Sequence, residues 1–305
     1  MQKGPPTPKG FRDIPPNLAK KRLEVIGRIE LVLEENGFVP LETPTIEFAQ
    51  TLKGKYGEEE KLIYEFKDRG GRDLALRYDL TVPLARYIAT NNPPFPFRRY
   101  QIGQVFRGEN PQAGRYREFT QFDFDTVGSD SPEEDAKIIA TAIKAVKQLG
   151  LKMPVMLIND RKNFKDLPIG VTRALDKIHK IGESNVLKEI LTSGIDKQKA
   201  DEYMKSILEA KPTEDLKEII RNIGNESLSE NIKFDPTLAR GLDYYTGSIF
   251  ELKPTGDQKE LSIGSGGRYD NLIGMFIYPD KGKVVKRVPA VGFSFGLDRL
   301  IESLS

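Results

Sequence analysis

The 305-residue chain carries 47 Lys and Arg against 45 Asp and Glu, and its net charge of +2 argues neither for nor against a nucleic-acid partner. It has no cysteine, which excludes disulfides, thiolate nucleophiles and Cys-ligated zinc and favours an intracellular location. Its one histidine, His179, lies in the charged, helix-like segment LDKIHKIG, where a surface position is expected, so the sequence predicts neither a His-Ser-Asp triad nor a multi-histidine metal site. No segment resembles a signal peptide or approaches the ~20 apolar residues of a membrane span, so we expect a soluble protein.

The first third of the chain predicts an amphipathic helix, an edge or interface strand, a β-hairpin and a second helix. Val25, Ile29 and Val32 recur on one face of the first helix. Two prolines restrict the following segment to an edge or interface position. The four predicted elements cover residues 17–36, 38–48, 61–79 and about 82–90.

Two strand-like segments, 98–107 and 117–128, flank a loop rich in Gly, Asn and Pro and predict a long hairpin. Because side chains alternate along a strand, Phe122 and Phe124 can join a core while the opposite face is polar. Arg107 has the parity to point to that polar side. The other side chains on this face are Phe119, Gln121, Asp123 and Asp125.

The rest of the chain predicts a helix at 132–149, strands at 154–159, 248–253, 260–267 and 290–296, and a terminal helix from 297. Between them, the charge-rich stretch 160–231 is helical without strand alternation, which indicates an inserted helical subdomain. The expected organisation is therefore α+β, an antiparallel sheet flanked by helices. Its parts are residues 1–159 and 232–305 of one domain and the insertion 160–231.

Cations, an aromatic ring and carboxylates on one sheet face suit a ligand that carries phosphate, a flat base and an amine, such as a nucleotide plus an amino acid. Surface ion pairs are the alternative, and the matching parity of two strands favours a site. In ARGLDYYTG, Arg240 beside a glycine can reach a tight site. Arg299, in the first turn after Gly296, can attract anions or form a surface pair with Glu302.

These segments resemble the motifs of class II aminoacyl-tRNA synthetases. FRGENPQAGRYREF resembles motif 2, GFSFGLDRL resembles motif 3, and the first helix with ETPTIEF resembles motif 1. ARGLDYYTGSIFE, GGRYDNLIGMF, LRYDLTVPLARY and PKGFRDIPP are similar to signatures of histidyl-tRNA synthetases, and REFTQFDFD with GKYGEEEKLIYEFKD to those of their archaeal and eukaryotic branch.

The resemblance implies a cytoplasmic, homodimeric ligase with a six-stranded antiparallel sheet and a dimer interface at motif 1. L-Histidine and ATP, with Mg²⁺, would form histidyl-adenylate, and the histidyl group would then pass to the 3′ end of tRNA(His). No metal ligand is assigned. The chain ends at the motif 3 helix, where relatives usually continue into an anticodon-binding domain.

The resemblance also implies residue roles. For ATP, Arg107 would contact the α-phosphate, Glu109 the adenine edge, Phe119 the adenine face, and Arg115 and Arg299 the outer phosphates. For histidine, Arg107 would also contact the carboxylate; the other implied contacts are Asp79, Thr81 and Gln121 at the α-amino group, and Asp125 and Tyr245, with Tyr244 nearby, at the imidazole. Arg240 would join Arg107 as a catalytic cation on the α-phosphate.

Two alternatives remain open at this point. One is the synthetase-like, histidine-sensing regulatory subunit of ATP phosphoribosyltransferase, which binds histidine without aminoacylation. The other is a dimeric interaction module with no dependence on ATP. Such paralogues tend to lose the catalytic Arg and the ATP-binding positions, whereas Arg107, Phe119, Arg240 and Arg299 are present, so the synthetase is favoured.

Overall fold

The computed structural model describes residues 4–111, 115–224, 226–239, 244–257, 260–277 and 287–304. The α-helices are α1 (Pro16–Glu35), α2 (Ala49–Leu52), α3 (Thr81–Asn91), α4 (Pro132–Gln148), α5 (Ile169–Leu175), α6 (Ile178–Ile181), α7 (Glu183–Thr192), α8 (Lys197–Leu208), α9 (Glu214–Ile223), α10 (Glu226–Ser229) and α11 (Leu297–Ser303). Among these described helices, none combines the length and apolarity needed to cross a bilayer.

The strands are β1 (Val39–Pro40), β2 (Ile46–Phe48), β3 (Glu65–Lys67), β4 (Asp73–Leu76), β5 (Phe97–Phe106), β6 (Glu118–Val127), β7 (Val155–Asp160), β8 (Ile232–Phe234), β9 (Ser248–Lys253), β10 (Gly264–Arg268) and β11 (Ala290–Gly296). Most predicted helices and strands are confirmed to within a few residues. The single strand expected at 38–48 is instead two short strands, β1 and β2, which belong to different sheets. The strand expected at 260–267 begins only at Gly264.

The main sheet differs from the six-stranded antiparallel sheet that the resemblance implied. Within the described residues it has eight strands in the order β1-β5-β6-β11-β10-β9-β7-β8. The six central strands pair antiparallel, while β1 pairs parallel with β5 and β8 parallel with β7. The α+β prediction is thus confirmed, and the two additional strands extend the sheet at its edges. The predicted hairpin 61–79 instead joins β2 in a separate three-stranded sheet, β2-β4-β3.

One face of the main sheet packs against helices to form the largest core. Phe122 and Phe124 of β6 and Phe293 and Phe295 of β11 are almost fully buried there. Helices α1 and α4 cover this face, and α9 packs on α4. Helix α4 begins where the Ser131 side chain accepts a hydrogen bond from the Glu133 backbone N–H, an N-cap that fixes its start.

The opposite face of the sheet carries two smaller apolar clusters with a gap between them. One cluster joins α2 and α3 to the ends of the central strands. The other packs helices α5 to α8 against β7 and β9, with Val155, Leu157 and Ile249 buried under them. The helical stretch predicted at 160–231 therefore lies on this second face, except for α9 and α10, which pack with the first core. The gap between the clusters leaves the middle of the sheet accessible.

Candidate functional site

A cavity of about 460 Å³ lies over the middle of the second sheet face. Among its lining residues are Asp79, Thr81, Arg107, Glu109, Arg115, Phe119, Gln121, Asp125, Tyr244, Tyr245 and Arg299. The structure thus brings together every site residue expected from the sequence except Arg240. Arg240 lies outside the described residues.

Strand pairing explains why distant residues share this cavity. Gly103 of β5 lies opposite Gln121 of β6, so the odd-numbered side chains of both strands point to the same face. On the other side of β6, Gly292 and Ser294 of β11 lie opposite Asp125 and Asp123. The expected parity match is confirmed, and the polar face of β6 forms the floor of the cavity.

Asp79 stands just before α3, at one end of the cavity, and is 4% exposed. Its Oδ1 accepts hydrogen bonds from the Tyr56 hydroxyl and the Val82 backbone N–H, both at 3.0 Å. Burial raises the pKa of the Asp79 carboxyl, although these donors and the Arg107 cation oppose the shift. Thr81, the first residue of α3, forms a side-chain hydrogen bond with the Tyr244 hydroxyl.

Asp79 and Gln121 each have an oxygen atom that accepts no hydrogen bond from the described residues. The Asp79 Oδ2 and Gln121 Oε1 atoms are buried and have no hydrogen-bond partner within the described parts of the chain. Buried acceptors in folded proteins are almost always paired, so unpaired ones facing a cavity indicate a ligand that donates hydrogen bonds.

Asp125 is held at the sheet floor by partners on both sides. Its Oδ2 lies 2.8 Å from Nη2 of Arg99, which is fully buried, and its Oδ1 accepts from the Tyr269 hydroxyl at 2.5 Å. Burial raises the pKa of the Asp125 carboxyl, and Arg99 and Tyr269 oppose that shift. Gly292 is required beside it, because a Cβ there would lie 1.9 Å from Asp125 Oδ1.

Tyr244 and Tyr245 line the same cavity. Their ring centroids are 5.0 Å apart, and Tyr244 also contacts Tyr269 edge to face at 5.9 Å. Gly267 lets Tyr245 approach the sheet, since a Cβ at that position would lie 2.9 Å from its ring. A flat ligand that offers hydrogen bonds at its edge suits this part of the cavity.

Arg107 occupies the middle of the cavity between two aromatic rings. Its guanidinium carbon lies 4.3 Å from the Tyr78 ring centroid and 5.1 Å from that of Phe119, and its Nε donates to the Tyr78 carbonyl at 3.2 Å. These contacts orient the planar guanidinium before any ligand binds. Such a cation can bind two oxygens of a phosphate or a carboxylate at once.

The remaining cations stand at the more exposed end. Arg115 lies 3.6 Å from the Glu109 carboxylate, and Arg299 donates to the Ser262 carbonyl at 3.4 Å. The expected attraction of anions by the helix end at Arg299 stays a prediction; α11 has seven residues. The Arg299 guanidinium itself lines the cavity, so its side chain is what places a positive charge there.

Sequence reasoning assigned no role to three groups that shape this site: Arg99, Tyr269 and Asp123. Arg99 shares the strand parity of Arg107, and Asp123 lies between Gln121 and Asp125, so parity alone was a usable signal for both. Tyr269 follows β10 and reaches Asp125 only through the folded chain.

The chain matches the model of the histidyl-tRNA synthetase family over residues 10–175 and 171–300. It is 42% identical to a histidine–tRNA ligase of Aeropyrum pernix, in an alignment of 98% of this chain and 74% of that protein. A histidyl-tRNA synthetase structure from Nostoc sp. PCC 7120 superposes with a TM-score of 0.81 at 30% identity, covering 99% of this chain and 76% of the other. An ATP phosphoribosyltransferase regulatory subunit/histidyl-tRNA synthetase from Bacillus halodurans has a TM-score of 0.79 at 23% identity, over 98% and 83% of the chains, which shows a common fold. The chain belongs to the histidyl-tRNA synthetase family.

Proposed function

We propose that the chain is a histidine–tRNA ligase catalytic core, which activates L-histidine with ATP and transfers the histidyl group to the 3′ end of tRNA(His). The observation that carries this proposal is the single cavity that joins an arginine-lined end to a carboxylate-lined end. Aminoacyl adenylate formation needs both, because a phosphate and an amino acid must meet at bonding distance.

Arg107 is proposed to bind the α-phosphate and the histidine carboxylate at the junction of the two ends. Its Tyr78 and Phe119 contacts preset the guanidinium, so it can stabilise the charge that builds on phosphorus in the transition state. Arg240 is the second proposed cation on this phosphate. Phe119 is proposed to stack on adenine and Glu109 to bind its amino edge.

Arg115 and Arg299 are proposed to hold the outer phosphates of ATP. Bound Mg²⁺ would neutralise further phosphate charge. Within the described residues, no group of three or more Asp, Glu and His side chains is placed to hold a metal. That fits Mg²⁺ bound mainly through substrate phosphates with one or two carboxylates. Glu251 lines the cavity and is the candidate, since Glu109 is already proposed at the adenine edge.

At the other end, Asp79, Thr81 and Gln121 are proposed to bind the α-amino group. Asp125 and Tyr245, with Tyr244 nearby, are proposed to recognise the imidazole. A site whose buried polar groups must pair with both ring nitrogens rejects amino acids that lack them, since those groups would remain unpaired.

The proposal extends to the assembly and its setting. A homodimer through the motif 1 region is supported by exposed apolar side chains on α1, β1 and β2, namely Leu23, Leu31, Val39 and Phe48. We also propose a cytoplasmic location, membership of the archaeal and eukaryotic branch, and a separate unit at residues 160–231 inserted between 1–159 and 232–305. The chain spans about three quarters of the relative from Aeropyrum pernix.

The regulatory subunit of ATP phosphoribosyltransferase is the alternative, supported by the shared fold of the Bacillus halodurans protein. Fold does not separate the two functions. The retention of Arg107, Phe119 and Arg299 in one cavity favours the ligase, because a histidine sensor has no use for an ATP site.

Histidine-dependent exchange of pyrophosphate into ATP tests the proposal. We expect exchange by the unmodified chain, and a loss of at least 100-fold in kcat/KM for Arg107→Ala and Arg240→Ala, comparable to removing an oxyanion donor worth ~3 kcal/mol. Arg72→Ala is the matched control, because the Arg72 side chain is 67% exposed and, among the residues that the structure describes, forms its ion pair with Asp68 in a hairpin turn. Histidine binding without exchange would support the regulatory subunit, and binding of neither ligand would support the interaction module.

A further inference from the structure

Asp123 is a buried carboxylate in the cavity floor with no role in the proposal so far. It lies between Gln121 and Asp125 on β6, opposite Ser294 of β11, and is 3% exposed. The Ser294 hydroxyl donates a hydrogen bond to it. Its other oxygen, Oδ1, is buried and has no hydrogen-bond partner among the residues that the structure describes.

Asp123 Oδ1 thus joins Asp79 Oδ2 and Gln121 Oε1 as an unpaired acceptor in this cavity. Asp125 Oδ2 also accepts no well-aligned hydrogen bond, but it lies 2.8 Å from Arg99 Nη2 and its charge is paired. Leaving a buried acceptor unpaired destabilises a fold, and more so when the group is charged. Three such acceptors around one cavity indicate a site prepared for a ligand with several hydrogen-bond donors.

The chemistry of these acceptors selects the ligand group. A primary ammonium carries one positive charge and three N–H donors, which matches two carboxylate oxygens and one amide oxygen. A neutral donor would leave the two carboxylates without charge compensation.

We propose that Asp123 is a substrate-binding residue, and that its carboxylate shares the α-ammonium group of histidine with Asp79 and Gln121. This inference rests on the proposed binding of histidine but not on catalysis. It makes Asp123, rather than the already engaged Asp125, the second negative charge at the amino end of the substrate.

The surroundings of Asp123 bear on its charge before the ligand arrives. The ionisable groups that influence it are Arg99, Arg77, Asp125, Asp79, Tyr244 and Tyr269. Burial raises the pKa of the Asp123 carboxyl to about 7, with Asp125 adding to the shift and Arg99 opposing it. Near neutral pH a fraction of the free protein thus carries a protonated Asp123. When the ammonium binds, that carboxyl loses its proton to solvent and the ionised carboxylate accepts the N–H bond.

Binding of two ligands to two proteins isolates this contact. The ligands are L-histidine and 3-(imidazol-4-yl)propionate, which lacks only the amino group, and the proteins are the unmodified chain and Asp123→Asn. By calorimetry at pH 8, we expect Asp123→Asn to weaken the binding of L-histidine by roughly 10- to 100-fold, the range expected for the loss of a hydrogen bond to a charged group. The des-amino ligand should bind both proteins equally.

Asp125→Asn is the comparison variant. Because Asp125 is assigned to the imidazole, which both ligands carry, this substitution should weaken the binding of both ligands to the same extent. Equal losses of both ligands in Asp123→Asn, or no loss of either, would overturn the inference. Thermal unfolding of each variant identifies misfolding. If Asp123→Asn does not fold, Ser294→Ala provides the second test, because it removes a hydrogen bond to the same carboxylate. It should change the affinity for L-histidine and leave the affinity for the des-amino ligand unchanged.

Proton release gives an independent readout. Calorimetric titration of L-histidine at pH 7 in two buffers of different ionisation enthalpy counts the protons exchanged. We expect the unmodified chain to release more protons than Asp123→Asn, and equal counts would contradict the inference. Pyrophosphate exchange is not involved, so a failure of the proposed ligase activity remains distinguishable from a failure of this assignment.

Discussion

Two carboxylates, Asp135 on helix α4 and Asp123 on the main sheet, are buried to a similar degree but differ in their hydrogen-bond partners. Asp135 of α4 is 1% exposed, and it accepts hydrogen bonds from the Arg268 guanidinium and the Ser248 hydroxyl. Asp123 is 3% exposed, and one of its oxygens has no partner among the described residues. Burial raises the pKa of both carboxyls, so burial alone does not distinguish their roles.

The difference lies in which groups complete each carboxylate. Arg268 and Ser248 belong to the chain itself, so the Asp135 cluster is complete in the folded protein and ties α4 to β9 and β10. The Asp123 cluster faces the cavity and is completed from outside. A buried charge that its own fold satisfies is structural, and one that its fold leaves open is a candidate for binding.

The largest expected effect follows from breaking the complete cluster. Arg268→Met removes the cation that pairs with Asp135, whose carboxylate is then buried without compensation. We expect the free energy of unfolding to fall by about 3–5 kcal/mol, as for other buried ion pairs that lose one partner. Urea denaturation at pH 7 measures this change. Arg287→Met is the control: Arg287 is 60% exposed and pairs with Asp270 in the same network, so its loss should have a much smaller effect. Equal effects of both variants would mean that burial does not govern this cluster.

An intermediate effect of opposite sign is expected at Asp123. Its folded pKa of about 7 is raised above the ordinary value of ~3.9, so the folded state binds the proton more tightly than the unfolded state. Its contribution to stability is therefore complete below about pH 4 and is lost as the pH rises to about 7. Asp123→Asn should remove this loss and stabilise the ligand-free protein by roughly 2–4 kcal/mol at pH 8, with little gain at pH 4.

Urea denaturation of both proteins between pH 4 and pH 8 measures this difference. A variant that is less stable than the unmodified chain at pH 8 would show that Asp123 is satisfied internally, like Asp135, and would remove the contrast between the two clusters.

The smallest expected effect concerns a partly exposed pair far from both clusters. His179 Nε2 lies 2.8 Å from Asp235 Oδ2, and the side chains are 35% and 8% exposed. The hydrogen bond to Asp235 raises the pKa of His179. Its stabilisation is present below pH ~6.5 and is lost as the pH rises through the raised folded pKa. His179→Gln should lower the free energy of unfolding by less than ~1 kcal/mol at pH 5.5, because solvent screens the pair. The loss should be smaller still at pH 8.5, where His179 is neutral in both states. An equal cost at both pH values would contradict this account.

The elements themselves were predictable where one local signal dominated. Apolar spacing with a stop at Asn36-Gly37 predicted α1 closely, and a short alternating run predicted β11 at its observed bounds, 290–296. The separate sheet of β2, β3 and β4 was missed, because strand pairing between distant segments leaves no local signal.

The sequence by itself determined the family and the polar face of β6, since side-chain alternation assigns Gln121, Asp123 and Asp125 to one side whatever the rest of the fold does. It also identified the arginines that line the cavity. Only the tertiary structure decided which carboxylates are engaged. Asp125 meets Arg99 and Tyr269, which are far from it in the chain, while Asp123 keeps an oxygen for the cavity. Hydrogen-bond satisfaction depends on groups brought together by folding, and no local pattern of residues encodes it.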